Sequence, residues 1–140
     1  KKNLFSINCP SKLNSSAIDE FLIIFLVAAK AKGVSRFKEL GEMNKKESKR
    51  LDLGIKFLKL IGIKVDRYKN NINIRGNPDL FLSDNFEMKD FLKDHRIFFL
   101  SCITALTLGG KWKINDKDSI NSSFPSFLKI LKNIGAKINW

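Results

Sequence analysis

Nine consecutive apolar residues, Phe21-Leu22-Ile23-Ile24-Phe25-Leu26-Val27-Ala28-Ala29, constrain this chain more than any other stretch. At the helical period they cover the whole circumference, so the helix they form has to be enclosed by other elements. The run is far short of the roughly 20 residues a membrane span needs, and Asp19-Glu20 stand directly before it. It therefore belongs inside a globular core. With 140 residues the chain is one domain by size. A chain this long buries roughly 68–70% of its unfolded surface, so it can build that core without disulfide or metal staples.

The rest of the chain repeats this pattern. Apolar helical runs are expected over 16–32, 45–61, 94–108 and 122–134, and Gly33, Gly62, Gly109-Gly110 and Gly135 follow them. After each glycine stop comes a strand-like run: 34–40, 63–67, 112–114 and 136–140. The second opens a hairpin, with alternating faces over 63–67 and 72–75, a turn at Asn70-Asn71, and Gly76-Asn77-Pro78 to close it. Residues 1–14 read as an irregular entry with a strand-like run at 4–7. Residues 79–92 are the least legible, with one short strand expected at 86–88. The spacing is too irregular for a solenoid. It predicts a mixed α/β domain of repeated helix-Gly-strand units with buried helices.

Charges that would be costly within such helices collect at their N-terminal ends: Asp19-Glu20, then Lys46-Glu47 and Arg50, then Asp94-His95-Arg96. If Asn44-Lys45-Lys46-Glu47-Ser48-Lys49-Arg50 opens the second helix, Lys46 and Arg50 share one face, beside free backbone N–H groups. That end suits a small anion bearing phosphate or carboxylate. Glu47, Asp19 and His95 are candidate proton carriers. The same residues also read as structure: Asn44 and Glu47 as a capping box, Asp19 and Asp94 as caps, and the lysines as a solvated face. Three such ends in one cleft would favour the chemical reading.

Composition narrows the partners. The net charge of +12 invites a nucleic-acid reading. However, the 26 cations are spread over every segment and 21 of them are Lys. Lys lacks the bidentate, stacking geometry of Arg. Cys9 and Cys102 have no metal-ligand or redox spacing, and Cys102 reads as a small core residue in a reducing compartment. A single His excludes a multi-histidine metal site.

In order and separation, Ile18-Asp19-Glu20, Lys46-Glu47-Ser48-Lys49-Arg50, Asp94-His95-Arg96 and Ser123-Phe124-Pro125 resemble the 5-enolpyruvylshikimate-3-phosphate synthase family, over residues 11–140. That family's fold, as the resemblance implies it, is an inverse α/β barrel of repeated units with helices inside and sheets outside. The implied activity transfers the enolpyruvyl group of phosphoenolpyruvate to the 5-hydroxyl of shikimate 3-phosphate, releasing phosphate, in the shikimate pathway to chorismate and the aromatic amino acids. It proceeds by addition and elimination, without metal or cofactor. By the same resemblance, Asp19 holds the shikimate hydroxyls and takes the 5-hydroxyl proton, and Lys46 contacts that hydroxyl and phosphoenolpyruvate. Glu47 handles the proton at the methylene carbon with His95 beside it. Arg50 and Arg96 hold phosphoenolpyruvate.

The resemblance further implies that residues 1–140 are the C-terminal portion of a monomeric, cytoplasmic enzyme, packed against an N-terminal part of the same chain, with no nucleic acid or membrane partner. The Lys1-Lys2 start and the strand-like end at Trp140 fit that expectation. Three positions depart from the family's usual pattern. Asn44 replaces an Arg, Lys49 replaces an Asp expected to orient Arg50, and Ser122 stands where some members carry a phosphate-contacting Lys. The alternatives are a basic nucleic-acid-binding module and the sibling transferase acting on UDP-N-acetylglucosamine.

Overall fold

The computed structural model describes residues 3–140. Lys1 and Lys2, the start of the expected irregular entry, lie outside the described residues. Helix α1 (Asn14–Ala17) and helix α2 (Phe21–Ala29) are followed by strand β1 (Val34–Phe37). A 3-10 turn (Gly41–Lys45) leads to α3 (Arg50–Leu60), then β2 (Lys64–Tyr68), β3 (Asn71–Arg75) and β4 (Leu82–Met88). Helix α4 (His95–Leu108), β5 (Gly109–Ile114), a 3-10 turn (Lys117–Ile120) and α5 (Phe127–Asn133) complete the order.

As its composition demands, α2 is enclosed. Phe21, Leu22, Phe25, Leu26, Ala28 and Ala29 are all buried, and Phe21 and Phe25 pack on Phe37 of β1 with ring centroids 6.0 and 5.1 Å apart. One hydrophobic core runs through α2, α3, α4 and the inner faces of both sheets. The first sheet is antiparallel in the order β1-β3-β2, with Phe37 opposite Ile72 and Lys64 opposite Arg75. Its alternation is clean: Ile72 and Ile74 are buried and Asn73 faces water. In the second sheet β4 and β5 pair in parallel, and α4 is the crossover. Trp112 of β5 stacks between Phe86 of β4 at 4.5 Å and Phe57 of α3 at 5.7 Å, tying that sheet to the helical core.

The expected order of elements holds, with local corrections; the helix expected over 122–134 starts only at Phe127, and the strand expected over 112–114 already begins at Gly109. The helix expected over 16–32 is interrupted at 18–20, a turn that delivers the Asp19 carboxylate to Arg50, and it ends at Ala29. The strand expected over 34–40 stops at Phe37, because Glu39 turns into the left-handed region at φ 59° and its N–H donates to Asn71 Oδ1. The helix expected over 45–61 starts only at Arg50, because Lys46 is extended (φ −90°, ψ −165°). Strand β4 is longer than expected, seven residues, because its parallel partner β5 lies across the whole of α4. Residues 136–140 form no strand, for they join no ladder of the described sheets; Trp140 lies instead against Lys132, 5.0 Å from its Nζ.

Candidate functional site

The three charged helix N-termini do converge, and Arg50 is the point where they meet. Its side chain is 2% exposed. Nε donates to Asp94 Oδ2 at 2.8 Å and Nη2 to Asp94 Oδ1 at 3.2 Å, a bidentate pair. Nη1 reaches Asp19 Oδ1 at 3.0 Å and Nη2 reaches Glu47 Oε2 at 2.5 Å. A guanidinium has five N–H donors, so one, on Nη1, is left over. Burial alone would lower the Arg50 pKa, but the Asp94 hydrogen bonds and the charges of Asp94, Glu47 and Asp19 more than reverse it.

Asp94 is fully buried and has a second task. Its Oδ1 accepts from the backbone N–H of Arg96 at 2.9 Å, capping α4 as its sequence position suggests, while Oδ2 accepts the Ser48 hydroxyl at 2.7 Å. Burial pushes its carboxyl up, yet the Arg50 and Ser48 hydrogen bonds and the Arg50 charge hold it below the usual carboxylate range. One carboxylate thus fixes both the guanidinium of Arg50 and the helix start that carries Arg96.

Around this buried pair lies a more exposed rim. Asp19 is 48% exposed, and its Oδ1 is shared between Arg50 and Lys46 Nζ, the latter at 3.6 Å. Glu47, 56% exposed, touches Arg50 from the other side. Arg96 Nη1 pairs with Glu20 Oε1 at 3.0 Å. His95 sits edge-on to Phe99 with centroids 5.9 Å apart, and Phe99 in turn packs on Phe127 at 4.6 Å. The rim therefore presents two carboxylates on either side of a fixed cation, a lysine and a second arginine paired with Glu20, while the imidazole of His95 stands on an aromatic wall at the start of α4. Such a set can carry protons at two separate places, and can hold an anion that displaces a carboxylate from one of its cations.

Several local expectations change here. Lys46 and Arg50 do not share a helical face, since only Arg50 is helical, yet Asp19 gathers both. The capping box between Asn44 and Glu47 does not form, because Asn44 bonds to Leu51 and Asp52 and Glu47 bonds to Arg50. Arg50 is not left without a carboxylate by Lys49, since Asp94, Glu47 and Asp19 orient it from three segments. The sequence pattern assigns no partner to Ser48 or Glu20 and no role beyond capping to Asp94. A small hydroxyl placed within a run of charges was the available signal for Ser48.

The fold is a mixed α/β core whose helix starts pool their charges in one half-exposed cluster. A family profile described as EPSP synthase (3-phosphoshikimate 1-carboxyvinyltransferase) matches residues 11–131. The chain is 32% identical over 137 residues to the 3-phosphoshikimate 1-carboxyvinyltransferase of Zymomonas mobilis, covering 96% of this chain and 30% of that protein. It is 33% identical over 142 residues to that of Ruthia magnifica, covering 99% of this chain and 31% of that protein. Among solved structures, an EPSP synthase from Acinetobacter baumannii superposes with a TM-score of 0.80 at 27% identity, over 98% of this chain and 32% of that one. The enolpyruvyl transferase NikO from Streptomyces tendae superposes at 0.64 and 15% identity, over 99% of this chain and 30% of that one, a likeness of fold alone. The chain belongs to the EPSP synthase family, has its fold as part of an inverse α/β barrel, and spans about 30% of the length of these relatives.

Proposed function

We propose that this chain contributes one side of an active site that transfers the enolpyruvyl group of phosphoenolpyruvate to the 5-hydroxyl of shikimate 3-phosphate, releasing phosphate. The supporting observation is that Asp19, shared with Lys46, meets Arg50 and Glu47 from a distant segment, in a member of this family. Asp19 is the base for the 5-hydroxyl, with Lys46 holding the same oxygen. As the new bond forms between that oxygen and C2 of phosphoenolpyruvate, Glu47 delivers a proton to C3. In the elimination Glu47 takes a proton back from C3 as the bond from C2 to the phosphate oxygen breaks, and the leaving phosphate carries off the proton that Asp19 had taken. Arg50 and Arg96 hold the carboxylate and phosphate of phosphoenolpyruvate, the incoming anion exchanging with Glu47 and Glu20 at the exposed rim. His95, on its aromatic wall at the start of α4, is assigned by the family resemblance to the neighbourhood of Glu47.

Phosphate release from the two substrates by the full-length protein tests this. Glu47→Gln and Asp19→Ala are each expected to lower kcat by about 100-fold or more, the scale of a general acid or base, with thermal unfolding unchanged. Turnover retained by Glu47→Gln would sink the reading. If, besides, random duplex DNA were bound with a steep salt dependence, the basic-module alternative would take its place.

A further inference from the structure

The Lys46–Lys49 segment that carries the proposed proton carrier is neither helix nor strand, and its two ends are held by one side chain. Asn44 leaves the 3-10 turn, and its Oδ1 accepts from the backbone N–H of Leu51 at 3.0 Å and of Asp52 at 3.2 Å. These are the second and third residues of α3, whose free amides an N-cap side chain ordinarily satisfies. Lys49, at the N-cap position, supplies no such bond. Asn44 therefore caps the helix from across the loop and closes residues 45–50 into a ring.

The other half of the amide is also committed. Asn44 Nδ2 donates to Asp52 Oδ1 at 3.0 Å, and the same oxygen accepts from Arg67 Nη1 of β2 at 2.6 Å. Hydrogen bonds from Arg67 and Asn44, in that order, hold the Asp52 carboxyl below its usual range. A chain of contacts thus runs from the hairpin through Asp52 and Asn44 to the helix start where Arg50 begins. Among the described residues, none of these three side chains has a hydrogen bond or ion pair to Asp19, Lys46, Glu47, Arg50 or Asp94.

We propose that Asn44, locked by Asp52 and Arg67, is a positioning residue: it sets the loop that aims Lys46 and Glu47 and the helix register that aims Arg50. The proposal rests on the transferase reading above. Small displacements of positioned groups cost rate steeply, on the order of 100-fold for about 1 Å. A clip confined to stability would leave the folded enzyme's kinetics unchanged.

The test uses the full-length protein with phosphoenolpyruvate and shikimate 3-phosphate, alongside amide hydrogen exchange at Leu51 and Asp52. Asn44→Ala is expected to lower kcat and raise KM for phosphoenolpyruvate together, reducing kcat/KM by about tenfold to 100-fold, and to speed exchange at both amides. Asn44→Asp keeps the acceptor but sets a second carboxylate against Asp52, and loses activity as well. The double variant Asn44→Asp with Asp52→Asn exchanges donor and acceptor across the pair and is expected to recover most of kcat/KM. If the unchanged protein turns over no substrate, the transferase reading fails first, while the exchange rates still report the clip. The positioning role is overturned if folded Asn44→Ala keeps the original kcat/KM, or if the double variant is no better than Asn44→Asp. Should Asn44→Ala not fold, the comparison of those two Asp variants decides.

Discussion

Arg50 is surrounded by more negative charge than it can neutralise, and its burial makes that arrangement a strong constraint. A guanidinium 2% exposed beside a fully buried Asp94 is costly to desolvate, and excellent geometry is what offsets the cost. Asp94→Asn retains an acceptor for the Arg96 N–H but takes from Arg50 its one fully buried carboxylate, leaving only the half-exposed Asp19 and Glu47, so it is expected to destabilise the fold by about 1.5–3 kcal/mol at neutral pH, measured by denaturant unfolding. The pH dependence follows from the direction of the Asp94 shift. Its folded-state value is lowered, so its contribution is complete above the unfolded value of about 4 and is lost as pH falls through the lower folded value. The gap between the original protein and Asp94→Asn should therefore be flat above about pH 5 and close below about pH 4. A gap that widened in acid would contradict the ion pair. Cys102 shows burial acting without a partner: its thiol is pushed up to about 12, which fits the core role its apolar surroundings suggest.

Elements fixed by local signals were legible in the sequence. The α4 boundaries follow from the Asp94 cap and from Gly109, and the β2-β3 hairpin from its alternation, although its turn is Lys69-Asn70, one residue earlier than expected. Elements fixed by distant partners were not. Strand β4 exists through its pairing with β5, and the late start of α3 through Asn44 reaching across a loop. In the site, the convergence of the three charged ends was legible, whereas the saturation of Arg50 by carboxylates was not, because Asp19 and Asp94 lie 31 and 44 residues from it. The junction after β3 is another contact that only the fold explains. Gly76 donates to the Gly33 carbonyl, Asn77 donates to Ala29 at the end of α2, and a Cβ on Gly76 would lie 1.9 Å from the Ala31 oxygen. Backbone on both sides cannot yield, so Gly76→Ala should cost about 3 kcal/mol or more. At Gly62, where φ is +85° but nothing lies within 4 Å of such a Cβ, Ala should cost only about 1–2 kcal/mol. Equal losses at the two sites by thermal unfolding would refute the close approach.

At the scale of the molecule, the question is what holds two anionic substrates. The net charge of +12 suggests that cations are abundant, yet in the cluster three of them, Lys46, Arg50 and Arg96, face four carboxylates, Asp19, Glu20, Glu47 and Asp94. Each cation is already paired, so the cluster is poised to donate and accept protons but is electrostatically poor as a clamp for phosphate. Further cations have to meet it from the side where Asp19 and Glu47 are open. The chain spans about 30% of the length of its relatives, and in the proposed function a full-length protein supplies those cations. The 140-residue chain alone is therefore expected to release no phosphate above background from phosphoenolpyruvate and shikimate 3-phosphate, even where circular dichroism shows it folded. The full-length protein should turn over under the same conditions. Turnover by the 140 residues alone would mean that the paired cations open to substrate by themselves, and that the cluster's own charge balance suffices for binding.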